Sequence, residues 1–122
     1  MTAKLVFISL FAGLLCSACA VQRPTKADII GAWHGPGTAK MTFKIDGTVD
    51  YTDAPPAVFG NVINIPRTGG IDWSILPDDD GVRIDGGSYA GNAWYYEYPD
   101  GTRELHFYVV DSSDRADYVK ED

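Results

Sequence analysis

The chain has 122 residues with 10 basic and 17 acidic side chains, so its formal net charge is −7 at pH 7. Affinity for nucleic acid comes largely from Lys and Arg side chains on phosphates, and this acidic balance argues against a nucleic acid partner. The same charge would attract a cationic partner. The length suits a single domain.

The N-terminal segment has the features of a signal peptide. A basic residue precedes residues 5–15, an uncharged apolar run of 11 residues, whereas a transmembrane helix needs roughly 20. Two small residues then precede Cys19, as at the end of a bacterial lipoprotein signal. We therefore predict that residues 1–18 are removed and that Cys19 is lipidated, which would anchor an extracytoplasmic protein to a bacterial cell membrane. The alternative is an ordinary secretory signal cut after Ala18 or Ala20.

The rest of the chain divides into a short polar tether, residues 19–26, and a folded domain, residues 27–122. From Gly31 onward, apolar and polar side chains alternate with period two, which predicts β-strands. Strands are expected near residues 32–34, 40–45, 48–53, 71–75, 82–84, 94–98, 105–109 and 117–120.

Three Asp-Gly pairs lie between these predicted strands. Such a pair between alternating apolar residues is a strong signal for a hairpin. The three pairs are Asp46-Gly47, Asp80-Gly81 and Asp100-Gly101. Eight short strands joined mostly by tight turns predict an all-β barrel or sandwich. Closure into a small up-and-down antiparallel barrel would remove the exposed edges of such a sheet.

Large aromatic residues are expected to face the interior of this barrel. They are Phe43, Tyr51, Trp73, Trp94, Tyr96 and Phe107. An eight-stranded barrel is either filled by its own side chains or holds one small ligand. So many rings would fill most of the space, which favours a packed core.

The connection at residues 54–70 is much longer than the tight turns expected between most of the other strands. It has 17 residues and contains three prolines together with apolar side chains at Val58, Phe59, Val62, Ile63 and Ile65. Loops of this length are uncommon in compact domains and are often functional. The segment could pair as an irregular edge strand near residues 62–65, pack over the barrel end, or act as a lid or partner-binding edge.

An ordered series of motifs resembles a known family. Gly31-Ala32-Trp33 is a Gly-x-Trp on the first strand, residues 43–48 (FKIDGT) combine a strand with a hairpin, and residues 70–75 (GIDWSI) place a second Gly and Trp at a strand. Together with Tyr118-Val119 near the end, the series resembles small lipocalin-like (calycin-type) β-barrel lipoproteins of bacteria. The resemblance covers most of residues 27–120.

The resemblance implies an up-and-down antiparallel barrel in which Gly31, Trp33 and Trp73 are structural residues and Trp33 closes one end. The chain is shorter than a typical lipocalin, which argues against a large ligand cavity. The resemblance implies little about activity.

No catalytic or metal-binding pattern is evident in the sequence. His34 and His106 lack metal-ligand spacing, and residues 78–81 (DDDG) lack the spaced ligands and distal Glu of an EF-hand loop. Residues 86–91 (GGSYAG) miss the nucleophile elbow, because Ala90 stands where Gly is required. We therefore expect a protein that is not an enzyme and that has no metal and no cofactor.

The sequence leaves two functions open. The first is a binding module that holds a small apolar ligand at the barrel mouth, near Phe59, Ile63, Trp94 and Tyr95. The alternative is a protein-interaction or inhibitor role at the cell envelope, for example against a cationic hydrolase. Both functions need the same fold and exposed aromatic side chains, so the sequence does not separate them.

Overall fold

Eight antiparallel strands close into a barrel in a computed structural model of the chain, which describes residues 23–62, 64–77 and 80–121. A short helix, α1 (Lys26–Ile29), precedes the barrel. The strands are β1 (Gly31–His34), β2 (Lys40–Phe43), β3 (Thr48–Thr52), β4 (Gly69–Ile75), β5 (Gly81–Asp85), β6 (Ala90–Glu97), β7 (Arg103–Tyr108) and β8 (Arg115–Lys120). Each strand pairs with the next, and β8 pairs with β1. The expected all-β, up-and-down barrel is confirmed, whereas Cys19 and Ile63 lie outside the described residues.

Two of the Asp-Gly pairs form the predicted hairpins. Asp46 Oδ1 accepts hydrogen bonds from the backbone N–H and the hydroxyl of Thr48, at 2.9 and 2.7 Å. Asp100 Oδ1 accepts one from the backbone N–H of Thr102 at 2.9 Å. The glycine that follows each aspartate has a positive φ, 91° and 90°, which L side chains rarely adopt. Local turn chemistry therefore fixes the register of β2 with β3 and of β6 with β7.

The prediction of a turn starting at Asp80-Gly81 is wrong. Gly81 is the first residue of β5, and its carbonyl accepts a hydrogen bond from the N–H of Leu76. A Cβ at residue 81 would overlap the carbonyl oxygen of Ala93 on the neighbouring strand. Glycine is needed here because β5 and β6 approach closely.

The barrel interior is filled by large side chains. The largest fully buried aromatic residues are Trp33, Tyr51, Tyr95, Tyr118, Phe43 and Phe107. They form one core cluster with aliphatic residues from β2 to β8 and from α1. Such a core places the space for any ligand at the surface or the ends of the barrel.

On β6 the predicted faces are inverted. Trp94 is 44% exposed and Tyr96 is half-buried on the outer face, whereas Tyr95 is buried in the interior at 1% exposure. The other inward residues of β6 are Gly91 and Ala93. A Cβ at residue 91 would overlap the carbonyl oxygen of Val58 in the β3–β4 connection, so a glycine is required at this inward position.

One end of the barrel, here called the N-terminal end, is covered by α1. The indole Nε1 of Trp33 donates a hydrogen bond to the carbonyl of Ile29 at 2.8 Å. Phe43 makes edge-to-face contacts with both Trp33 and Trp73, with ring centroids 6.3 and 5.4 Å apart. Trp73 Nε1 donates to the carbonyl of Lys44 at 2.9 Å. Both buried indoles are therefore hydrogen-bonded, as burial of this polar group requires.

The opposite end, here called the plug end, is filled by the connection between β3 and β4. A short 3-10 helix, Pro56–Phe59, buries Ala57, Val58 and Phe59 against the barrel. We call it the plug helix. It ends at Gly60, which is in the left-handed conformation with φ 67°. Of the arrangements considered for residues 54–70, packing over the barrel end is the one observed, and no edge strand forms in the described part of this segment before β4.

Candidate functional site

The structure does not bring the predicted mouth residues together. Phe59 is buried in the plug helix, with only 3% exposure. Tyr95 is buried in the interior, and its hydroxyl donates a hydrogen bond to Glu97 at 3.0 Å. Trp94 is on the outer wall, and Ile63 lies outside the described residues. A single mouth site made of these four side chains is therefore not what the fold provides.

A surface pocket of about 240 Å³ opens beside the plug helix. We call it the plug pocket. Its wall is formed mainly by apolar side chains of the connection between β3 and β4, namely Ala54, Pro55, Pro56, Phe59, Val62, Ile65 and Pro66, together with Asn64 and Arg67. An apolar wall with few polar groups is typical of sites for small ligands. Of the predicted mouth residues in the described part of the chain, only Phe59 lines it.

Arg67 is the charged residue of the plug pocket. Its guanidinium donates from Nε to the carbonyl of Ala54 and from Nη2 to the carbonyl of Asp53, both at 3.3 Å. Among the described residues, no carboxylate lies within ion-pair distance of this guanidinium, and the ion pairs found there involve other basic side chains. Three of its five N–H groups have no partner in these bonds. The rim of the pocket therefore carries a positive charge with donors to spare.

The floor of the plug pocket is held by aromatic contacts. The ring of Phe59 contacts those of Tyr51 and Tyr89 edge-to-face, with centroids 5.2 and 5.0 Å apart. The hydroxyl of Tyr51 donates to the carbonyl of Pro66 at 3.0 Å and lies 3.4 Å from that of Tyr89. Burial, with a smaller effect of the Tyr89 hydrogen bond, raises the pKa of Tyr51 to about 12. Tyr51 therefore stays neutral at physiological pH and ties the loop to β3.

The second notable feature is a row of aromatic side chains outside the barrel. We call it the aromatic wall; its members are Trp94, Tyr96, Tyr98 and Tyr108. The rings of Tyr96 and Tyr98 are nearly parallel, at 16° with centroids 6.5 Å apart. Trp94 contacts Tyr108 edge-to-face at 5.7 Å. These rings add nothing to the interior core, so their presence on an outer face needs another reason.

A hydrogen-bonded group of polar side chains borders the aromatic wall. His106 Nε2 lies 2.8 Å from Glu104 Oε1, which also accepts a hydrogen bond from the hydroxyl of Tyr98 at 3.2 Å. The ring of Tyr96 covers His106, with centroids 4.2 Å apart, and His106 is only 9% exposed. Burial, with smaller effects of Glu104, raises the pKa of Tyr98.

Sequence reasoning missed Arg67, Tyr89 and the inward position of Tyr95. Arg67 had a usable signal, since it is a basic residue in an apolar loop of an acidic chain. Tyr89 lies in a glycine-rich turn whose contacts depend on the closed barrel.

Within residues 23–62, 64–77 and 80–121, no helix is long and apolar enough to cross a membrane. In that same part of the chain, no three His, Cys, Asp or Glu side chains are grouped to hold a metal ion.

Comparison of the chain with protein-family models, with curated proteins and with solved structures gives no match. The eight-stranded antiparallel barrel is consistent with the lipocalin-like fold that the sequence motifs resemble. The site residues therefore have to be interpreted from their own geometry and chemistry.

Proposed function

We propose that the protein is a lipid-anchored, non-catalytic binding module of the bacterial cell envelope that holds a small apolar ligand in the plug pocket. The observation that carries this proposal is the pocket itself, with its apolar wall and single cationic residue. Its volume of about 240 Å³ lies below the roughly 300–1,000 Å³ of drug-sized sites. The ligand is accordingly small.

The location of the pocket differs from the central cavity of a large lipocalin. Aromatic residues occupy the barrel interior, and the plug helix fills one end, so a ligand would rest against the outside of the plug. Val62, which is 50% exposed, would offer apolar surface to the ligand, and Phe59, which is 3% exposed, forms the floor beneath it. The two edge-to-face partners of Phe59 keep the ring in one orientation, which lowers the entropic cost of binding.

Arg67 favours a ligand that carries one anionic group. A planar guanidinium pairs with a carboxylate through two parallel hydrogen bonds, and such charge-assisted bonds are the strong ones. The chain has a net charge of −7, and within residues 23–62, 64–77 and 80–121 no carboxylate lies within ion-pair distance of the Arg67 guanidinium beside this apolar pocket. The guanidinium could therefore pair with an anionic group of a ligand. A short fatty acid or a similar apolar carboxylate has both required features.

The membrane anchor of this proposal rests on the sequence around Cys19. A diacylated cysteine would supply the two chains that stable anchoring requires. The described domain begins only a few residues later, so the barrel would be held close to the membrane surface.

Native mass spectrometry of the intact protein, extracted in mild detergent from the cells that produce it, tests the proposal. We expect a reproducible small added mass on the wild type, lost in Val62→Glu and kept in Val110→Glu. Both valines are exposed, at 50% and 74%, and only Val62 lines the pocket. Each variant adds one negative charge at an exposed position, so a difference between them reports on the pocket and not on net charge. Absence of any added mass from wild type, or its retention in Val62→Glu, would count against the plug pocket.

A second candidate function is interaction with an envelope protein, including inhibition of a cationic hydrolase. The aromatic wall favours it, because exposed Trp and Tyr side chains are enriched at protein interfaces. This candidate uses a different face of the barrel from the plug pocket, and the two functions are compatible.

A further inference from the structure

The aromatic wall has the composition of an interface and not of a solvated barrel surface. Polar side chains normally cover the outward positions of a small soluble barrel. Here Trp94, Tyr96 and Tyr98 occupy consecutive outward positions at and just beyond β6, and Tyr108 adjoins them on β7. Trp94 is 44% exposed. Trp94 is exposed and the rings of Tyr96, Tyr98 and Tyr108 beside it are partly buried, and aromatic surface of this kind marks binding sites.

The charges beside the wall indicate the chemistry of the partner. Glu104 is three-quarters buried, with 25% side-chain exposure, and its described partners are the Tyr98 hydroxyl and the His106 imidazole. In the part of the chain that the structure describes, no Lys or Arg lies within ion-pair distance of Glu104 or Asp100. Hydrogen bonds from Thr102 lower the pKa of Asp100, so it is ionised at neutral pH.

An open recess joins these two carboxylates to the wall. It is lined by Tyr98, Pro99, Asp100, Thr102 and Glu104. A cation entering it would lie close to Glu104 and to the ring of Tyr98, which both line it. Aromatic faces attract cations within about 6 Å of the ring centroid, and a nearby carboxylate adds to this attraction.

We propose that the aromatic wall and the adjoining recess dock an arginine-bearing segment of a partner protein. The planar guanidinium is weakly hydrated, stacks on aromatic rings and donates to a carboxylate in the same plane. The nearly parallel rings of Tyr96 and Tyr98 offer the stacking surface, and Glu104 offers the acceptor. The net charge of −7 would speed association with a basic partner. The same charge would repel nucleic acid and anionic lipid.

Titration of the ¹⁵N-labelled intact protein with a synthetic Gly-Arg repeat peptide tests this inference, using the three indole N–H resonances as reporters. Trp33 and Trp73 are buried and bonded to backbone carbonyls, whereas Trp94 is exposed. We expect only the Trp94 indole and the amides around Tyr96 and Tyr98 to shift. The Gly-Lys repeat should bind at least about threefold more weakly, and the Gly-citrulline repeat should not bind measurably.

Two charge-matched variants separate specific docking from general attraction. Glu104→Gln keeps an amide oxygen for Tyr98 and His106 and should weaken binding about 5- to 20-fold. Asp72→Asn removes the same charge from an exposed position on β4 and should change affinity less than about twofold. Thermal unfolding of both variants checks that the barrel is intact.

Three results would overturn the inference: equal weakening by both variants, no preference for arginine over lysine, or Trp94 shifts that appear with anionic vesicles or soluble glycans and not with the peptide. None of these results bears on the plug pocket, because that pocket lies at the plug end of the barrel and is tested separately by native mass spectrometry.

Discussion

The carbonyl oxygen of Val58 lies where the Cβ of any residue larger than glycine at position 91 would be. Gly91 is therefore the point at which the plug helix rests on the inside of β6. The contact explains why a four-residue 3-10 helix with no side-chain cap is held in place. It also explains why the inward position of β6 next to the plug is a glycine, whereas the large side chain of Tyr95 faces inward farther along the strand.

Gly91→Ala tests whether the plug helix depends on this contact. The added methyl would force the Val58 carbonyl away, and overpacking of this kind costs about 1–3 kcal/mol. We expect lower stability in urea unfolding and faster amide exchange in residues 56–60. Gly70→Ala is the matched control, since its Cβ would meet the movable carboxylate of Asp50. Equal effects of the two variants would contradict the role of Gly91.

Trp33→Phe tests closure of the N-terminal end. The change removes the hydrogen bond to the buried carbonyl of Ile29, and an unsatisfied buried polar group costs about 1–3 kcal/mol. We expect a loss of that size in the free energy of unfolding. Trp94→Phe, on the exposed outer wall, should cost less than about 1 kcal/mol. A Trp33→Phe variant as stable as Trp94→Phe would show that α1 does not depend on this bond.

Stability is expected to fall in alkali. Burial raises the pKa of Tyr51 to about 12 from an ordinary 10.0 and raises the pKa of Tyr95 and Tyr118 as well. The unfolded chain ionises first, so the stabilisation is fully present below about pH 10 and is lost as pH rises through the folded pKa values. Urea unfolding at a series of alkaline pH values, with tyrosinate absorbance, measures this loss.

Tyr118→Phe provides the control for the alkaline effect. The Tyr118 hydroxyl is buried and has no hydrogen-bond partner among the described residues. Its removal should leave stability at neutral pH unchanged or slightly higher. The same variant should reduce the dependence of stability on alkaline pH. A dependence as steep as in the wild type would mean that Tyr118 does not contribute to it.

Cys19→Ser tests the anchor. We expect wild-type protein to fractionate with membranes and to carry the mass of a lipid-modified cysteine, and the variant to lose both properties. Cys16→Ser is the control, because Cys16 precedes the proposed cleavage site. Recovery of Cys19→Ser with membranes, or loss of the lipid from Cys16→Ser, would contradict lipidation at Cys19.

The sequence was sufficient for the strand count, and for the hairpins at Asp46 and Asp100, because alternation and turn chemistry are local. It was insufficient for β6, where both faces carry apolar side chains and the choice of face depends on the plug helix. The turn predicted at Asp80-Gly81 was wrong because a glycine that allows two strands to approach closely cannot be distinguished, in the sequence, from a glycine that a turn requires. The plug pocket depends on loop packing, which no periodic pattern records.

The most direct test of the proposed function is a chemical-shift map of the intact ¹⁵N-labelled protein with octanoate and with octanol, an uncharged match. We expect both to perturb residues 54–67, octanoate to bind more tightly, and Arg67→Gln to weaken octanoate about 5- to 20-fold. Arg83→Gln, which removes an arginine paired with Asp85 on β5, should leave both affinities unchanged. The account is contradicted if octanoate shifts no resonance of the plug pocket, or binds equally well without Arg67.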